Sequence, residues 1–384
     1  MRTQLIIMVA SVALVMGALA MAVYFLTRPG ESVDVRASLS VSDASRMDDS
    51  AFVFATGPRR FIFPEDHGPH PAFAIEWWYF TGNLQDTEGR RFGYELTFFR
   101  RGIGNTGSSR TSEWATEDIY FAHFAFTDVE SDEFYAFERY SRDALDLAGA
   151  AGSPFRVWIE DWSAVGSDGS AFPMRLRARD GGVEINLTLN GDKDIVLHGE
   201  DGFAQKGSEP GEASYYYSIT RMPTTGVVTL DGRVHSVSGL SWLDREWSSA
   251  QLSDEQVGWD WFALQLSDGR DIMYYQLRPR FGVSTDFDLG TLVAVDGEYS
   301  RLQDADVSIE VLDQWQSPLG GTYPSRWRLR IPSEALDIEI RPYVANQELD
   351  TLVRYWEGAV RIEGTSNGHP VEGSGYVELT GYAE

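Results

Sequence analysis

Between Gly239 and Trp261 the chain reads GLSWLDREWSSAQLSDEQVGWDW: four tryptophans (Trp242, Trp247, Trp259, Trp261) interleaved with five acids (Asp244, Glu246, Asp254, Glu255, Asp260) and one base, Arg245. A carboxyl walled by tryptophan is desolvated, and desolvation disfavours the charged form, so such an acid keeps its proton toward neutral pH. The same aromatic wall offers a large apolar molecule a surface to bind. Proton donation to an apolar ligand is the chemistry this stretch points to, with Asp244 and Asp260 as the candidate catalytic acids. Asp260 sits between two tryptophans, so in a strand its side chain points away from both. A purely structural use of the same residues is a barrel rim where the tryptophans pack and Arg245 pairs with Asp244 or Glu246.

Further candidates lie upstream. In Ile75-Glu76-Trp77-Trp78-Tyr79-Phe80, alternation puts Glu76, Trp78 and Phe80 on one face and Trp77 and Tyr79 on the other. If the first face is interior, Glu76 is a buried carboxyl that needs a partner. His123 lies in YFAHFAF and reads either as a hydrogen-bonded core residue or as a pocket acid or base near neutral pH. The expected ligand-binding set is Glu76, Trp78, Tyr79, His123, Arg245, Trp247, Trp259 and Trp261. His67 and His70, with Glu76, have a spacing open to a metal, but Pro69 and Pro71 rule out the helix that would align the two rings, and a rim loop is the better reading. No metal and no cofactor is expected. Tyr376 and Glu378 share a face of the last strand-like run, and a structural pairing beside the first strand of a barrel is expected of them.

The elements that must carry these residues are strands. Ile75–Leu84 and Arg91–Arg101, separated by the polar run Asp86–Gly89, read as a hairpin. Short strand-like runs recur to the C-terminus with turn clusters such as Asp180-Gly181-Gly182, Asp231-Gly232 and Ser267-Asp268-Gly269 between them. About eight such runs fall on either side of residue 240. Two antiparallel barrels in series, 51–240 and 241–384, is the economical all-β reading, with short helices expected at most over 244–252 and 143–151.

Residues 5–26 carry no charge, and as a helix they would extend about 33 Å, enough for a bilayer core. The expectation is a cytoplasmic tip (1–4), a transmembrane anchor or uncleaved signal (5–26), a polar linker (27–50), and a body in the periplasm or outside the cell, held at the inner membrane. A net charge of −26 argues against nucleic acid as a partner. With no cysteine there are no disulfides, thiolate metal sites or catalytic thiols. Nucleophile-elbow, Walker and Rossmann motifs are missing as well.

The stretches FPEDHGPHPAFAIEWWYFTGNL, GYELTFFR, GLSWLDREWSS, GWDWFALQLSDGRDIMYYQLR and the closing YWEGAV and GYVELTGY resemble the AttH-like family, which includes hydroxyneurosporene synthase, also called carotenoid 1,2-hydratase. The resemblance runs from Phe61 to Tyr382 and implies two lipocalin-like β-barrels packed together. Where the carotenoid hydratases read Asp-His-Asn-Trp, this chain reads Asp244-Arg245-Glu246-Trp247, so a histidine able to relay protons is replaced by a permanently charged arginine. Three functions follow from residues and resemblance together. The first is a membrane-anchored protein binding a lipid, isoprenoid or carotenoid-like molecule in a Trp-rich cavity, with an ABC-type transport system as a partner. The second is a hydratase that protonates an isoprenoid double bond from a carboxylic acid and adds water. The third is a secreted hydrolase, the label attached to this branch of the family.

Overall fold

A computed structural model describes residues 51–104, 116–167, 169–191, 193–250, 252–253, 255–281 and 287–383 of the 384-residue chain. The tip, span and linker expected over 1–50 lie outside the described residues. Among the described residues no helix is long and apolar enough to cross a membrane.

The body is all-β, and its helical turns are three short 3-10 turns. The first sheet contains β1 (Ile75–Asp86), β2 (Arg91–Gly102), β3 (Asp118–Asp128), β4 (Glu133–Arg142), β5 (Ala148–Gly152), β6 (Phe155–Ile159), β7 (Trp162–Val165), β8 (Met174–Asp180), β9 (Val183–Leu189), β10 (Val196–Leu197), β11 (Phe203–Gln205), β12 (Ala213–Leu230) and β13 (Arg233–Ser248). The second contains β14 (Gln256–Leu266), β15 (Asp271–Pro279), β16 (Leu289–Val293), β17 (Tyr299–Leu302), β18 (Ser308–Gln316), β19 (Thr322–Ile331), β20 (Leu336–Pro342), β21 (Glu348–Leu349), β22 (Tyr355–Ser366) and β23 (His369–Leu379).

The first sheet runs β4-β3-β2-β1-β13-β12-β9-β8-β7-β6-β5, antiparallel throughout, with β10 and β11 also on β12. It curls until β6 packs against β2, β3 and β4, giving a nearly closed barrel. Its interior is filled by one face of each strand: Trp78, Phe80, Tyr94, Leu96, Phe98, Phe124, Phe126, Trp162, Leu176 and Leu187. The second sheet runs β17-β16-β15-β14-β23-β22-β20-β19-β18 and forms a half-barrel around Phe262, Leu264, Trp327, Leu329, Ile340 and Trp356. Tandem barrel-like sheets and the β1–β2 hairpin are therefore as the sequence pattern implies. The final strand β23 does pair beside the first strand of its own sheet, β14.

One expectation is corrected. Residues 244–248 and 148–151 are strand, not helix, because their side chains alternate between two packed faces rather than lining one stripe. The strand crossing residue 240 pairs with β1 over Val237–Ser248 and with β12 over Arg233–Ser248, so the first sheet extends to Ser248, a few residues past the boundary expected at 240.

Outer faces of the two sheets pack against each other through Tyr79, Tyr216, Trp242, Trp261, Met273, Tyr275, Ala359 and Tyr376. Polar ties cross the same interface: Asn83 donates to the Gly375 carbonyl at 3.0 Å, Gln265 to the Thr220 carbonyl at 2.7 Å, and Arg221 and Lys193 both reach the buried Asp271, at 2.6 and 2.9 Å. Close approach depends on Gly93 in β2, where an added Cβ would lie 2.5 Å from the Ala359 Cβ of β22. Gly93→Ala is expected to lower stability by about 1–3 kcal/mol, since overpacking must push the sheets apart. Chemical denaturation of the variant and of Gly57→Ala, where nothing lies within 4 Å of an added Cβ, separates this from the general effect of replacing a glycine.

Candidate functional site

Side-chain parity decides what each strand presents. In β1 the even residues face the barrel interior, and Trp77 and Tyr79 face the second sheet. In β13 Leu243 is interior, while Trp242, Asp244 and Glu246 look toward the second sheet. In β14 Phe262 and Leu264 are interior, and Trp259 and Trp261 look back. Where these outward faces meet without closing, they leave a cleft. Trp77, Phe99, Phe121, Trp259, Trp261 and Tyr275 wall it; Asp244, Glu246, Glu378, Lys206 and His123 supply its polar groups. The cleft therefore lies between the barrels, not inside one, because the interior of the first is packed with its own side chains.

Asp244 is the best-held acid. The hydroxyls of Tyr216 and Ser218 donate to its two oxygens, and Trp242 Nε1 donates to Oδ1 at 2.6 Å. Trp261 Nε1 donates to the Tyr216 oxygen at 3.0 Å, and Ser218 Oγ is 2.6 Å from His198 Nε2, whose Nδ1 is 2.9 Å from Thr291 Oγ1. Burial pushes Asp244 up to about 7, against the pull of its three donors and with help from the Glu246 charge. Burial also pushes Glu378 up to about 7, though Trp259 Nε1 donates to it at 3.1 Å. Glu246 is paired with Lys206, whose ammonium lies 5.8 Å from the Trp77 ring centre. At neutral pH the cleft thus holds two carboxyls near their midpoint beside aromatic faces.

Of the expected residues, the structure brings Asp244, Tyr79, His123, Trp259 and Trp261 to the cleft. Asp260 does not reach it. Pointing opposite to its flanking tryptophans, it faces the second sheet's inner side, where Tyr382 Oη donates to both its oxygens at 3.0 Å. Burial raises it to about 6, with Arg278 opposing. Glu76, Trp78, Arg245 and Trp247 are also away from the cleft. Arg245 and Arg100 both pair with Glu76, all three with fully buried side chains. Arg245 lies over the Trp78 ring at 4.0 Å and donates to the Gly68 carbonyl at 2.6 Å. Trp247 stacks on His70, ring centres 3.7 Å apart. These four residues are an ion-pair and aromatic plug at one end of the first barrel.

His123 lines the cleft but is no neutral-pH acid or base: burial lowers it to about 4, and its Nδ1 is 2.6 Å from Tyr355 Oη. His67 is buried, 2.6 Å from Tyr217 Oη. No cluster able to hold a metal occurs among the described residues. Sequence reasoning missed Lys206, Tyr216, Ser218, His198, Glu95 and Glu357, and placed Glu378 in a structural role only. Parity from Asp244 across the β12–β13 register, which sets Ser218 opposite Asp244, is the signal that finds Ser218. His198 and Lys206 sit by tertiary packing, and nothing in local pattern marks them.

A double antiparallel barrel with an acid-bearing aromatic cleft between its two sheets defines the class. The AttH-like family model matches residues 55–382, and the chain belongs to that family. A putative AttH from Nitrosomonas europaea is similar in structure, with 31% identity, a TM-score of 0.75, and coverage of 85% of this chain and 99% of that one. Kievitone hydratase from Nectria haematococca shares the fold at 18% identity and a TM-score of 0.66, covering 86% of this chain and 96% of its own. CghA with Sch210972 shares it at 14% identity and a TM-score of 0.51, covering 88% and 98%. Among curated proteins none matches in sequence.

Proposed function

We propose that this protein binds an apolar, unsaturated small molecule of lipid or isoprenoid type in the cleft between its sheets, and that the cleft performs hydratase-type acid–base chemistry on it. The observation that carries this is Asp244: a buried carboxyl, held by three donors, near half-protonated at neutral pH, and opening on tryptophan and tyrosine faces. Asp244 gives its proton to one carbon of a C=C bond, whose electron pair forms the new C–H bond. Aromatic faces stabilise the cation left on the neighbouring carbon. Water adds there and loses a proton to the Glu378 carboxylate, the second carboxyl of the cleft.

The fold shared with kievitone hydratase is consistent with this reading. Of the two positions at which the carotenoid hydratases' Asp-His-Asn-Trp differs here, Arg245 points away from the cleft and Glu246 lines it, paired with Lys206, while Asp244 stays in place. Simple storage of the same ligand, without turnover, uses the cleft's apolar walls and leaves the raised acids without a task.

Mass spectrometry of the protein purified under native conditions is expected to find a bound apolar molecule with at least one C=C bond. Adding it back is expected to quench tryptophan fluorescence in the wild type and less in Trp259→Leu. Recovery of only saturated lipid, unchanged by incubation, would leave storage alone. The proposal includes an anchor at residues 5–26 that holds the body on the outer side of the inner membrane; protease digestion of intact spheroplasts is expected to degrade the body.

A further inference from the structure

Behind the cleft wall lies a second group of acids that the proposed chemistry does not use. Glu95 of β2 and Glu357 of β22 are both fully buried, one from each sheet, on the faces packed together. Glu357 is the direct cross-strand partner of Glu378. Like charges in that position repel, so the pair is stable only when protons are shared. The charged groups acting most strongly on Glu95 and Glu357 are carboxyls: Glu378 on both, and Glu95 on Glu357. From the other packed elements they face the phenols of Tyr79 on β1, Tyr355 on β22 and Tyr376 on β23, with Thr97 on β2 itself. The nearest cation acting on Glu378 is Lys206, already paired with Glu246.

Polar atoms here are poorly satisfied. Glu95 faces Thr97, Glu357 faces Tyr79 and Tyr355, and Tyr376 faces Thr127, but both oxygens of each glutamate, Tyr79 Oη, Thr97 Oγ1, Tyr376 Oη and His123 Nε2 are buried without a hydrogen bond of good geometry. Buried polar groups are satisfied in nearly all native proteins, by protein or by ordered water. A polar cavity where several such groups converge is what binds buried water. Tyr79, Tyr355 and His123, which border this cluster, also line the cleft, as does Glu378, the cross-strand partner of Glu357.

We propose that Glu95 and Glu357, with Tyr79, Thr97 and Tyr376, form a water-binding site that shares a proton between its carboxyls and supplies water and protons to the cleft. The inference rests on the proposed hydration for its purpose, not for its existence. Hydration consumes one water per turnover and leaves no net proton, so the store must replace water and exchange protons with Glu378, the neighbour of Glu357. No oxidant or further reactant is involved.

The test uses the ligand-free full chain and no turnover. Infrared spectra at pH 7 in H₂O and D₂O are expected to show a protonated-carboxyl C=O stretch that shifts in D₂O and weakens in both Glu95→Gln and Glu357→Gln. Water-oxygen magnetic relaxation dispersion is expected to detect slowly exchanging water in the wild type, and less of it in Glu357→Leu, whose side chain fills the site. An unchanged carboxyl band in both glutamine variants overturns the proposal. So does wild-type protein without slowly exchanging water, a result that needs no variant to fold. Failure of Asp244→Asn to alter turnover would sink the hydration reading and leave these readouts standing.

Discussion

Asp244→Asn is expected to leave the fold and ligand affinity intact and to cut turnover of the co-purified ligand by roughly 10²–10⁴-fold, the range general acid catalysis contributes. Asparagine keeps the shape; with its oxygen in the place of Oδ1 it still accepts from Trp242 and Ser218, and the Tyr216 hydroxyl can turn a lone pair to the new amide. What it loses is the transferable proton. In the wild type that proton must be present, so turnover is expected to fall as pH rises through about 7. The variant's residual activity should not follow that titration. Steady-state rates from pH 5 to 9 on both proteins check this, and equal rates would exclude Asp244 as the donor.

Glu76→Gln is expected to be the costliest single change in stability, about 3–5 kcal/mol by chemical denaturation. Glu76 is the shared partner of two fully buried arginines, Arg100 and Arg245, and removing it strands their charges in a low dielectric. Arg100 retains Asp118, at 2.6 Å, whereas Arg245 is left with carbonyl acceptors such as those of Gly68 and Trp77. Against the burial that would raise it, Arg245, His70 and Arg100 hold Glu76 well below the usual carboxylate range. Its contribution is therefore full above the unfolded value of about 4.5 and is lost as pH falls below it.

Asp244 and Glu378 act with the opposite sign. Their folded values, about 7, lie above unfolded values near 3.8 and 4.5, so they bind more protons folded than unfolded across that window. Stability from this source falls as pH rises from about 4 to 7. Glu76 shares the acid limb with His67, His123 and His198, which burial holds below 6.5 and which must gain protons on unfolding, so Glu76→Gln should flatten that limb and leave the alkaline one unchanged.

Much of the architecture was legible in residue order. Period-two alternation, aromatic runs and Gly-Asp turns sufficed for tandem antiparallel sheets, because each strand's burial pattern is a local consequence of its own side chains. Asp244, Tyr79, His123, Trp259 and Trp261 were legible as site residues for the same reason: they are polar or aromatic groups on strand faces. What alternation cannot say is which face is which. Glu76 and Tyr79, or Asp244 and Arg245, are separated by parity alone, and one residue's shift reverses inside and outside.

Only the packing of one sheet's outer face against the other's decided that the cleft lies between barrels rather than within one. Strand pairing within each sheet turned Asp260 inward to Tyr382 and set Glu76 between Arg100 and Arg245. The packing of sheet on sheet brought Glu378 to Asp244 across more than a hundred residues of chain, and Glu95 to Glu357 across more than two hundred. Contacts of that kind depend on where whole sheets come to rest, and no local pattern encodes them.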